Sequence, residues 1–259
     1  MIKKIKNGIV YFEFENLSKT GIVNHCFSTR IGGVSMPPYD SMNLAYHMGD
    51  VQKDVDENFK RMANAINVDA KKIVMSTQTH SNRVEIVVNN SETPDGVDAL
   101  ITKGDNVLTT YYADCVPLLF VDPNKLVIAN AHSGWRGTQL NIAKEVITKM
   151  NNKFDCNPGD ILVGIGPCIS QEFFEVGIEV ANEFHRLLPN SSQFIMEKTK
   201  EKYHLDLAAI IKQTLLQQSI KDHHIEVSGL CTYKFPDLFF SHRRDENKRG
   251  NMAAMIALK

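Results

Sequence analysis

The chain has 259 residues, of which 43% are hydrophobic, and a formal net charge of -1 at pH 7. That length allows one large core or two small ones, and the near-zero charge without long runs of one sign argues against a nucleic-acid-binding surface or a polybasic membrane patch. We find no internal repeat. The turn-rich segments 88–98 and 151–160 are short enough to be loops, so we expect a single domain over residues 1–259 with small-molecule partners.

The cellular compartment is also constrained by the sequence. Segment 1–21 starts with basic residues but lacks the continuous apolar core and cleavage site of a secretory signal, and no apolar run of about 18 residues occurs. The five cysteines are scattered, odd in number and without a Cys-x-x-Cys pair, which favours reduced thiols over a disulfide framework. We therefore expect a cytoplasmic protein without membrane partners.

Strand and helix patterns are interleaved irregularly along the chain. Strands are predicted for short segments rich in β-branched or aromatic residues, namely 83–88, 109–122, 125–132, 160–167, 225–232, 238–244 and 251–258. Helical spacing of apolar residues covers 138–150, 173–188 and 207–220. The last three strands follow one another without a helix, which favours antiparallel pairing at the end of the chain. The predicted fold class is α+β, with mixed β-sheets packed against helices.

The turn that follows the predicted strand 125–132 has features of an anion site. Gly134 and Gly137 can bring backbone N–H groups and the positive end of a helix close to an anion, and Arg136 adds a permanently charged planar fork. Thr138 is a candidate N-cap for the helix. These features favour a phosphate. The alternative is that the glycines only shape the turn and Arg136 is a surface charge.

Three potential metal ligands are found at or near predicted strands. His132 ends one strand, Cys115 lies within another beside Asp114, and His80 precedes a third. Two imidazoles and a thiolate suit zinc, and three protein ligands leave the fourth tetrahedral position open, as in catalytic sites. Two other interpretations stay open: ordinary buried or hydrogen-bonded residues, or a Cys115 nucleophile with His80 or His132 as base and Asp114 or Asp98 as orienting carboxylate.

A resemblance to a known family extends over most of the chain. From about residue 24 to the C-terminus, the sequence contains in order FSTRIGGVS, MNLAYHMGD, QTHSNRV, DALIT, ADCVPLLFVDP, AHSGWRGT, GIGPCIS, FEVGIEV and CTYKFPDLFFSHRRD. Together these motifs resemble the YfiH-type family, long labelled multicopper polyphenol oxidases or laccase-domain proteins.

The resemblance implies a single-domain α+β protein that binds zinc through His80, Cys115 and His132. It also implies that purine nucleosides and phosphate are the substrates. Adenosine and inosine would be split to base and ribose 1-phosphate, S-methyl-5'-thioadenosine would be cleaved similarly, and some adenosine would be deaminated. Two alternatives are a cysteine-dependent hydrolase, including the peptidoglycan-editing role attached to the family, and a non-catalytic zinc-containing binding protein.

The older label and the deaminase activity can be compared with known motifs. The chain has nine histidines and no His-x-His pair, whereas a multicopper oxidase needs many such pairs, so copper is a less suitable cofactor than zinc. Cytidine-type zinc deaminases carry an H-x-E motif followed by P-C-x-x-C. Here Pro167-Cys168 lacks the second cysteine, and the single H-x-E, His224-Ile225-Glu226, is not followed by P-C-x-x-C. Any deaminase activity must therefore use a different arrangement.

Phosphorolysis needs a bound phosphate, stabilisation of an oxocarbenium-like sugar, and a proton or hydrogen bond for the departing purine. Arg136 is the main phosphate candidate, and Arg30, Arg243 and Arg244 are further candidates, because guanidinium forks match phosphate oxygens. Asp114 is a candidate for orienting a metal ligand or transferring a proton.

Two further positions and one departure from the family pattern concern substrate recognition. Asn43 is a candidate to hydrogen-bond ribose or base, although it can equally cap a turn, and His47 is a weaker candidate. The chain reads Arg249-Gly250-Asn251 where the family pattern has Thr-Gly-Arg. If that arginine meets substrate, affinity or specificity differs here unless Arg249 substitutes for it.

Overall fold

The computed structural model describes residues 1–88, 94–188 and 190–259. Residues 89–93, which belong to the predicted loop 88–98, and residue 189 lie outside the described residues. In chain order the strands and α-helices are β1 (Ile2–Lys6), β2 (Ile9–Glu13), α1 (Glu15–Ser18), β3 (Val23–Ser28), α2 (Gln52–Ala65), β4 (Ile73–Met75), β5 (Val84–Ile86), β6 (Ala99–Thr102), β7 (Val107–Tyr112), β8 (Val116–Asp122), β9 (Val127–Ser133), α3 (Trp135–Gln139), α4 (Ile142–Phe154), β10 (Leu162–Ile165), β11 (Glu175–Gly177), α5 (Ile178–Leu187), β12 (Ile195–Thr199), β13 (Lys202–Leu205), α6 (Leu207–Gln217), β14 (Ile225–Val227), α7 (His242–Asp245) and β15 (Met252–Leu258).

The strands of the described chain form two six-stranded sheets and a three-stranded sheet. The first sheet has the order β1-β2-β3-β15-β7-β4, the second β14-β10-β8-β9-β6-β5, and the third β11-β13-β12. Neighbours are antiparallel except for the pairs β4/β7, β5/β6 and β10/β14, which are parallel. Both six-stranded sheets are therefore mixed, which confirms the predicted α+β class.

The two large sheets pack face to face through β9, and this contact explains the apolar character of the central strands. In β8, Leu118 and Phe120 enter one core cluster, whereas Leu119 and Val121 enter the cluster shared with the first sheet. A strand buried on both faces reads as a continuous apolar run rather than an alternating one. The buried Asn130 amide of β9 donates to backbone carbonyls of β7 and β15 at 3.0 and 2.8 Å, which ties the sheets together.

Helices cover the outer faces of both sheets. Val146, Ile147 and Met150 of α4 belong to the core on one side of the second sheet, and α6 joins the same cluster. On the outer face of the first sheet, α2 contributes Val55, Phe59 and Met62 to a third cluster, at the spacing that places side chains on one helix face. None of the described helices combines the length and the apolar character that a membrane crossing requires.

Several predicted strands differ from the structure. The predicted elements begin at residue 83, whereas β1 to β4 and α2 precede it. The predicted strand 109–122 is two strands of different sheets, β7 and β8, separated by residues 113–115. Cys115 therefore lies in a turn and not within a strand. The predicted strand 238–244 is wrong, because Ser241 caps a helix there by accepting a hydrogen bond from the Arg244 N–H.

Strand pairing and helix bounds also need correction. β15 is antiparallel to β3 and β7, as predicted for the last strand, but β14 is parallel to β10 because the chain between them crosses over through α5 and α6. The predicted helix 138–150 is split into α3 and α4 at Asn141, which has a φ of 59° and is the N-cap of α4. Thr138 is not a cap, since it lies inside α3 and its hydroxyl donates to the Gly134 carbonyl at 2.9 Å. Residues 175–177, predicted as helix, form β11.

Candidate metal and active site

The three predicted metal ligands come together in the folded chain. Cys115 precedes β8 and His132 lies near the end of β9, and these antiparallel neighbours place Val116 opposite Ser133. His80 comes from the loop before β5, and the ligand atoms of all three side chains lie within 4.8 Å of one another. Two ligands bound to one tetrahedral zinc ion lie about 3.6 Å apart at ordinary bond lengths. The Cys115 Sγ to His80 Nε2 distance of 3.9 Å is close to that value, so the set fits a metal ion.

One buried carboxylate contacts both histidines of the ligand set. Asp98, which is fully buried immediately before β6, accepts from the backbone N–H of His80 at 3.0 Å and of Ser81 at 2.7 Å. These contacts hold His80 in the left-handed backbone region at a φ of 59°. The same carboxylate lies 2.9 Å from His132 Nδ1. The second imidazole nitrogen of His132 is thereby left for a metal ion.

Asp114 lines the smaller cavity, and its hydrogen bonds go to the C-terminal segment and not to a ligand imidazole. Its predicted role in proton transfer stays a prediction. The Asp114 φ of 88° forms the sharp turn that presents Cys115, a conformation that Asp tolerates better than most residues. Its carboxylate accepts from the Thr232 hydroxyl at 2.6 Å, the Ser241 hydroxyl at 3.0 Å and the Arg243 N–H at 2.7 Å. The carboxylate that orients a ligand imidazole is thus Asp98, and Asp114 joins the Cys115 turn to the C-terminal segment.

Gly134 allows the ligand set to close. A Cβ atom at this position would lie 2.8 Å from His80 Cδ2 and 3.2 Å from Cys115 Sγ. The first distance is shorter than such contacts allow, so any larger residue would displace His80. At Gly137 a Cβ would lie 3.2 Å from the Ser81 carbonyl oxygen. Both glycines of the turn therefore permit close packing against the loop that carries His80.

The charges of the ligand set are strongly coupled. Burial raises the pKa of the Cys115 thiol, but the His132 and His80 imidazoles outweigh burial and lower this pKa to about 6. Burial lowers the pKa of His132, but Cys115 and the Asp98 carboxylate outweigh it and raise the pKa to about 9. Without a metal ion, a thiolate therefore lies beside an imidazolium at neutral pH. A divalent cation must displace the imidazolium proton, so metal binding competes with protons.

The ligand set lies where two cavities meet. The larger cavity has a volume of about 590 Å³, and its wall includes Tyr46, His47, Ser76, Tyr111, Arg249 and Asn251. The smaller has a volume of about 270 Å³, and its wall includes Trp135, Arg136, Ile169, Phe174, His242 and Arg243. His80 and Cys115 line both. The larger volume is within the usual range of small-molecule sites, about 300–1,000 Å³.

Two of the four candidate phosphate-binding arginines lie beside the ligand set. Arg136 is exposed, and its guanidinium carbon lies 4.3 Å from the Trp135 ring centre. Arg243 donates to the Phe173 and Glu175 carbonyls at 3.2 and 2.9 Å. Arginine has five N–H donors, so both side chains keep donors for an anion. Together they make the wall of the smaller cavity positively charged.

The other two arginines bind the protein itself. Arg30 donates to the carbonyl and carboxylate of Asp40 at 3.0 and 3.2 Å and to the Pro236 carbonyl at 3.1 Å. Arg244 donates to three backbone carbonyls and pairs with Asp245 at 2.7 Å. Neither is among the described residues that line the two cavities. Their guanidinium donors stabilise loops of the protein.

Asn43 is also used internally. It is fully buried, its amide donates to Asp50 at 2.9 Å and to the Ala45 carbonyl at 3.2 Å, and its oxygen accepts from the Asn251 N–H at 3.0 Å. This corresponds to the turn-capping alternative for Asn43. His47 does line the larger cavity, with its ring 5.9 Å from that of Tyr111.

The sequence indicates Asp98 only as an alternative orienting carboxylate. It indicates Gly134 as part of an anion-binding turn and not as a residue that packs against the ligand set. A carboxylate directly before the apolar strand β6 is the signal that distinguishes Asp98, since such a group is buried only when it is well hydrogen-bonded. Arg249 was noted for its departure from the family pattern, and it lines the larger cavity.

Comparisons with known proteins agree with this architecture. Residues 24–259 match the family described as multi-copper polyphenol oxidoreductase laccase. The chain is 37% identical over 244 residues to purine nucleoside phosphorylase YlmD of Bacillus subtilis, covering 90% of this chain and 87% of the relative. It is 36% identical over 234 residues to purine nucleoside phosphorylase YfiH of Escherichia coli, covering 90% and 93%.

A solved structure extends the likeness to the whole fold. The crystal structure of the Bacillus licheniformis hypothetical protein YfiH superimposes with a TM-score of 0.92 at 32% identity and covers 99% of each chain. The sequence match, the shared fold and the order of the motifs agree. The chain belongs to the YfiH and YlmD family, which the multi-copper polyphenol oxidoreductase laccase family model describes.

Proposed function

We propose that this chain is a zinc-containing purine nucleoside phosphorylase. Its substrates are adenosine, inosine and S-methyl-5'-thioadenosine, which it cleaves with phosphate to the base and ribose 1-phosphate or its methylthio analogue. The observation that carries the proposal is the meeting of two cavities, one aromatic and one arginine-lined, at His80 and Cys115. The names of the two relatives as purine nucleoside phosphorylases support the same reaction.

The two cavities suit the two substrates. Tyr46, His47 and Tyr111 give the larger cavity aromatic faces for a purine, because planar bases stack favourably on such rings. Arg136 and Arg243 give the smaller cavity a positive wall for phosphate. His80 and Cys115 line both cavities, so the sugar would lie near them, between base and phosphate.

In the reaction, a phosphate oxygen forms a bond to the anomeric carbon while the bond from that carbon to the purine nitrogen breaks. The bonding electron pair leaves with the purine, which then takes up a proton. The arginines hold the phosphate against the sugar, and the aromatic wall holds the base and excludes water. His80, Cys115 and His132 would hold the zinc ion, which would supply Lewis-acid chemistry when bound.

A side activity, adenosine deamination, belongs to the same proposal. It replaces the amino group at purine C6 with oxygen from water, so it needs no phosphate. The H-x-E and P-C-x-x-C pattern is absent, so the activity would depend on the His-Cys-His set alone. Inosine formed from adenosine in phosphate-free buffer is the product to measure.

A second candidate function is a cysteine-dependent hydrolase. Three neighbouring residues favour it, namely Cys115, His132 and Asp98. The pKa of the Cys115 thiol is lowered to about 6, and His132 Nδ1 lies 2.9 Å from an Asp98 carboxylate oxygen. A nucleophile, a base and an orienting carboxylate have this order in cysteine hydrolases. Such an enzyme would act without phosphate and would lose activity on thiol alkylation whether or not metal is present.

Product chromatography with metal-analysed protein separates these functions. A phosphorylase releases adenine and ribose 1-phosphate from adenosine only when phosphate is supplied. Product release that is equal with and without phosphate would contradict the phosphorylase and favour the hydrolase. A protein that binds zinc but converts no nucleoside under either condition would be a binding protein.

A further inference from the structure

Arg249 brings a permanent positive charge into the larger cavity. It is the one lysine or arginine among the described residues that line this cavity, which also contains His80, Cys115 and His132. The other arginines of the site, Arg136 and Arg243, line the smaller cavity instead. The larger cavity therefore has one permanently charged side chain on its described wall, in addition to its aromatic residues.

The contacts of Arg249 leave its charge without a carboxylate partner. Within the described chain it donates to the Gly250 carbonyl at 3.1 Å, to the Asn251 side-chain oxygen and to His242 Nδ1 at 3.3 Å, none of which is a carboxylate. Its Nε is buried without a hydrogen-bond partner, and so is the Ser76 hydroxyl on the wall of the same cavity. Buried donors without partners are rare in folded proteins, and here both belong to residues on the wall of one cavity.

The backbone around Arg249 is held firmly. A Cβ at Gly250 would lie 2.8 Å from both Asn43 Cβ and Phe240 Cε2, so only glycine allows this close approach. The Asn251 N–H donates to the buried Asn43 side chain at 3.0 Å. The guanidinium fork is thereby presented from a fixed segment, and a fixed fork discriminates between ligands better than a mobile one.

The cavity that Arg249 lines is the one assigned to the purine, so a guanidinium donor that these contacts leave free would meet a base edge. A 6-oxopurine offers two neighbouring acceptors, O6 and N7, which an arginine binds in a bidentate manner. A 6-aminopurine offers N7 but places an amino donor at position 6, opposite the guanidinium donors. A cation at this edge also stabilises negative charge that develops on the departing base.

We infer that Arg249 is a specificity-determining residue that makes this chain prefer 6-oxopurine nucleosides such as inosine over adenosine. The inference rests on the proposed function, because it names the substrate class of the same site. It adds a preference between substrates that the family resemblance treats alike.

The test compares inosine and adenosine phosphorolysis in wild-type zinc-loaded protein, Arg249→Gln, Arg249→Lys and the exposed neighbour Lys248→Gln. We expect the ratio of kcat/KM for inosine to that for adenosine to exceed about tenfold in wild type, from the usual discrimination of a bidentate contact. Arg249→Gln should bring the ratio close to one, Arg249→Lys should restore part of it, and Lys248→Gln should leave it unchanged.

A parallel loss for both nucleosides, or a rise in the phosphate KM alone, would overturn the inference and leave the phosphorylase intact. If wild type converts neither nucleoside, the proposed function fails, and titration calorimetry with hypoxanthine and adenine decides the inference separately. Tighter binding of hypoxanthine that is lost in Arg249→Gln supports it, and equal or absent binding of the two bases overturns it.

Discussion

The ligand set and the arginine wall of the smaller cavity adjoin each other but are built differently. His132 is buried and fixed by the fully buried Asp98, which also holds the backbone of the His80 loop. Arg136 is exposed and held mainly by stacking on Trp135. A metal site needs ligands placed to a few tenths of an ångström, whereas a phosphate is attracted over longer distances by charge. We therefore expect damage to the ligand set to cost far more activity than damage to the arginine wall.

The largest effect should come from Cys115→Ala. Removal of the thiolate takes away one of three metal ligands, so zinc content should fall and both phosphorolysis and deamination should be abolished, by about a thousandfold or more if the metal supplies several kcal/mol of stabilisation. Circular dichroism should show an intact fold, because the side chain is small and lies in a turn. Retained nucleoside turnover in this variant would rule out the assignment of the ligand set.

Asp98→Asn should weaken metal binding by about 10- to 100-fold, the usual cost of losing a carboxylate that orients a ligand imidazole. The amide can no longer accept from all of its present partners, so the His80 loop should loosen as well. Competition with a chelating dye measures the zinc affinity. The exposed carboxylate of Asp237 offers the matched control, since Asp237→Asn should bind zinc as wild type does.

The thiolate of metal-free protein should be detectable by alkylation. Because the pKa of Cys115 is lowered to about 6, reaction with iodoacetamide should be near its full rate at pH 7 and should fall about tenfold per pH unit well below pH 6, as the thiolate fraction does. The other four cysteines are buried and should react slowly. Zinc should suppress the fast phase. A fast phase that persists in Cys115→Ala would assign it to another cysteine.

The smallest effect should come from Arg136→Ala. Loss of an exposed charge-assisted contact should raise the phosphate KM about three- to tenfold with little change in kcat, and added salt should reduce the difference. Initial rates at several phosphate concentrations measure the phosphate KM. The control is Lys144→Ala, since Lys144 is also exposed. An unchanged phosphate KM would show that Arg136 is not part of the phosphate site. A large loss of kcat would contradict the expected difference between the ligand set and the arginine wall.

Some of this molecule follows directly from local sequence. The predicted strands 125–132 and 251–258 correspond to β9 and β15, because short segments rich in β-branched or aromatic residues between turn signals favour strands. The strand prediction failed at 238–244 because Phe239 and Phe240 are core residues of a loop that leads into a capped helix turn. An apolar run indicates burial, and only the neighbouring chain decides whether the backbone is extended.

The sequence by itself determined the composition of the site, through His80, Cys115 and His132 and the family motifs around them. Only the tertiary structure decided that these distant residues meet, that Asp98 and not Asp114 orients His132, and that Arg136 and Arg243 line a cavity while Arg30 and Arg244 do not. The physical reason is that a side chain is available to a ligand only when its donors are not already bound. Those internal partners, such as the Asp40 carbonyl for Arg30, are set by contacts between segments far apart in the chain.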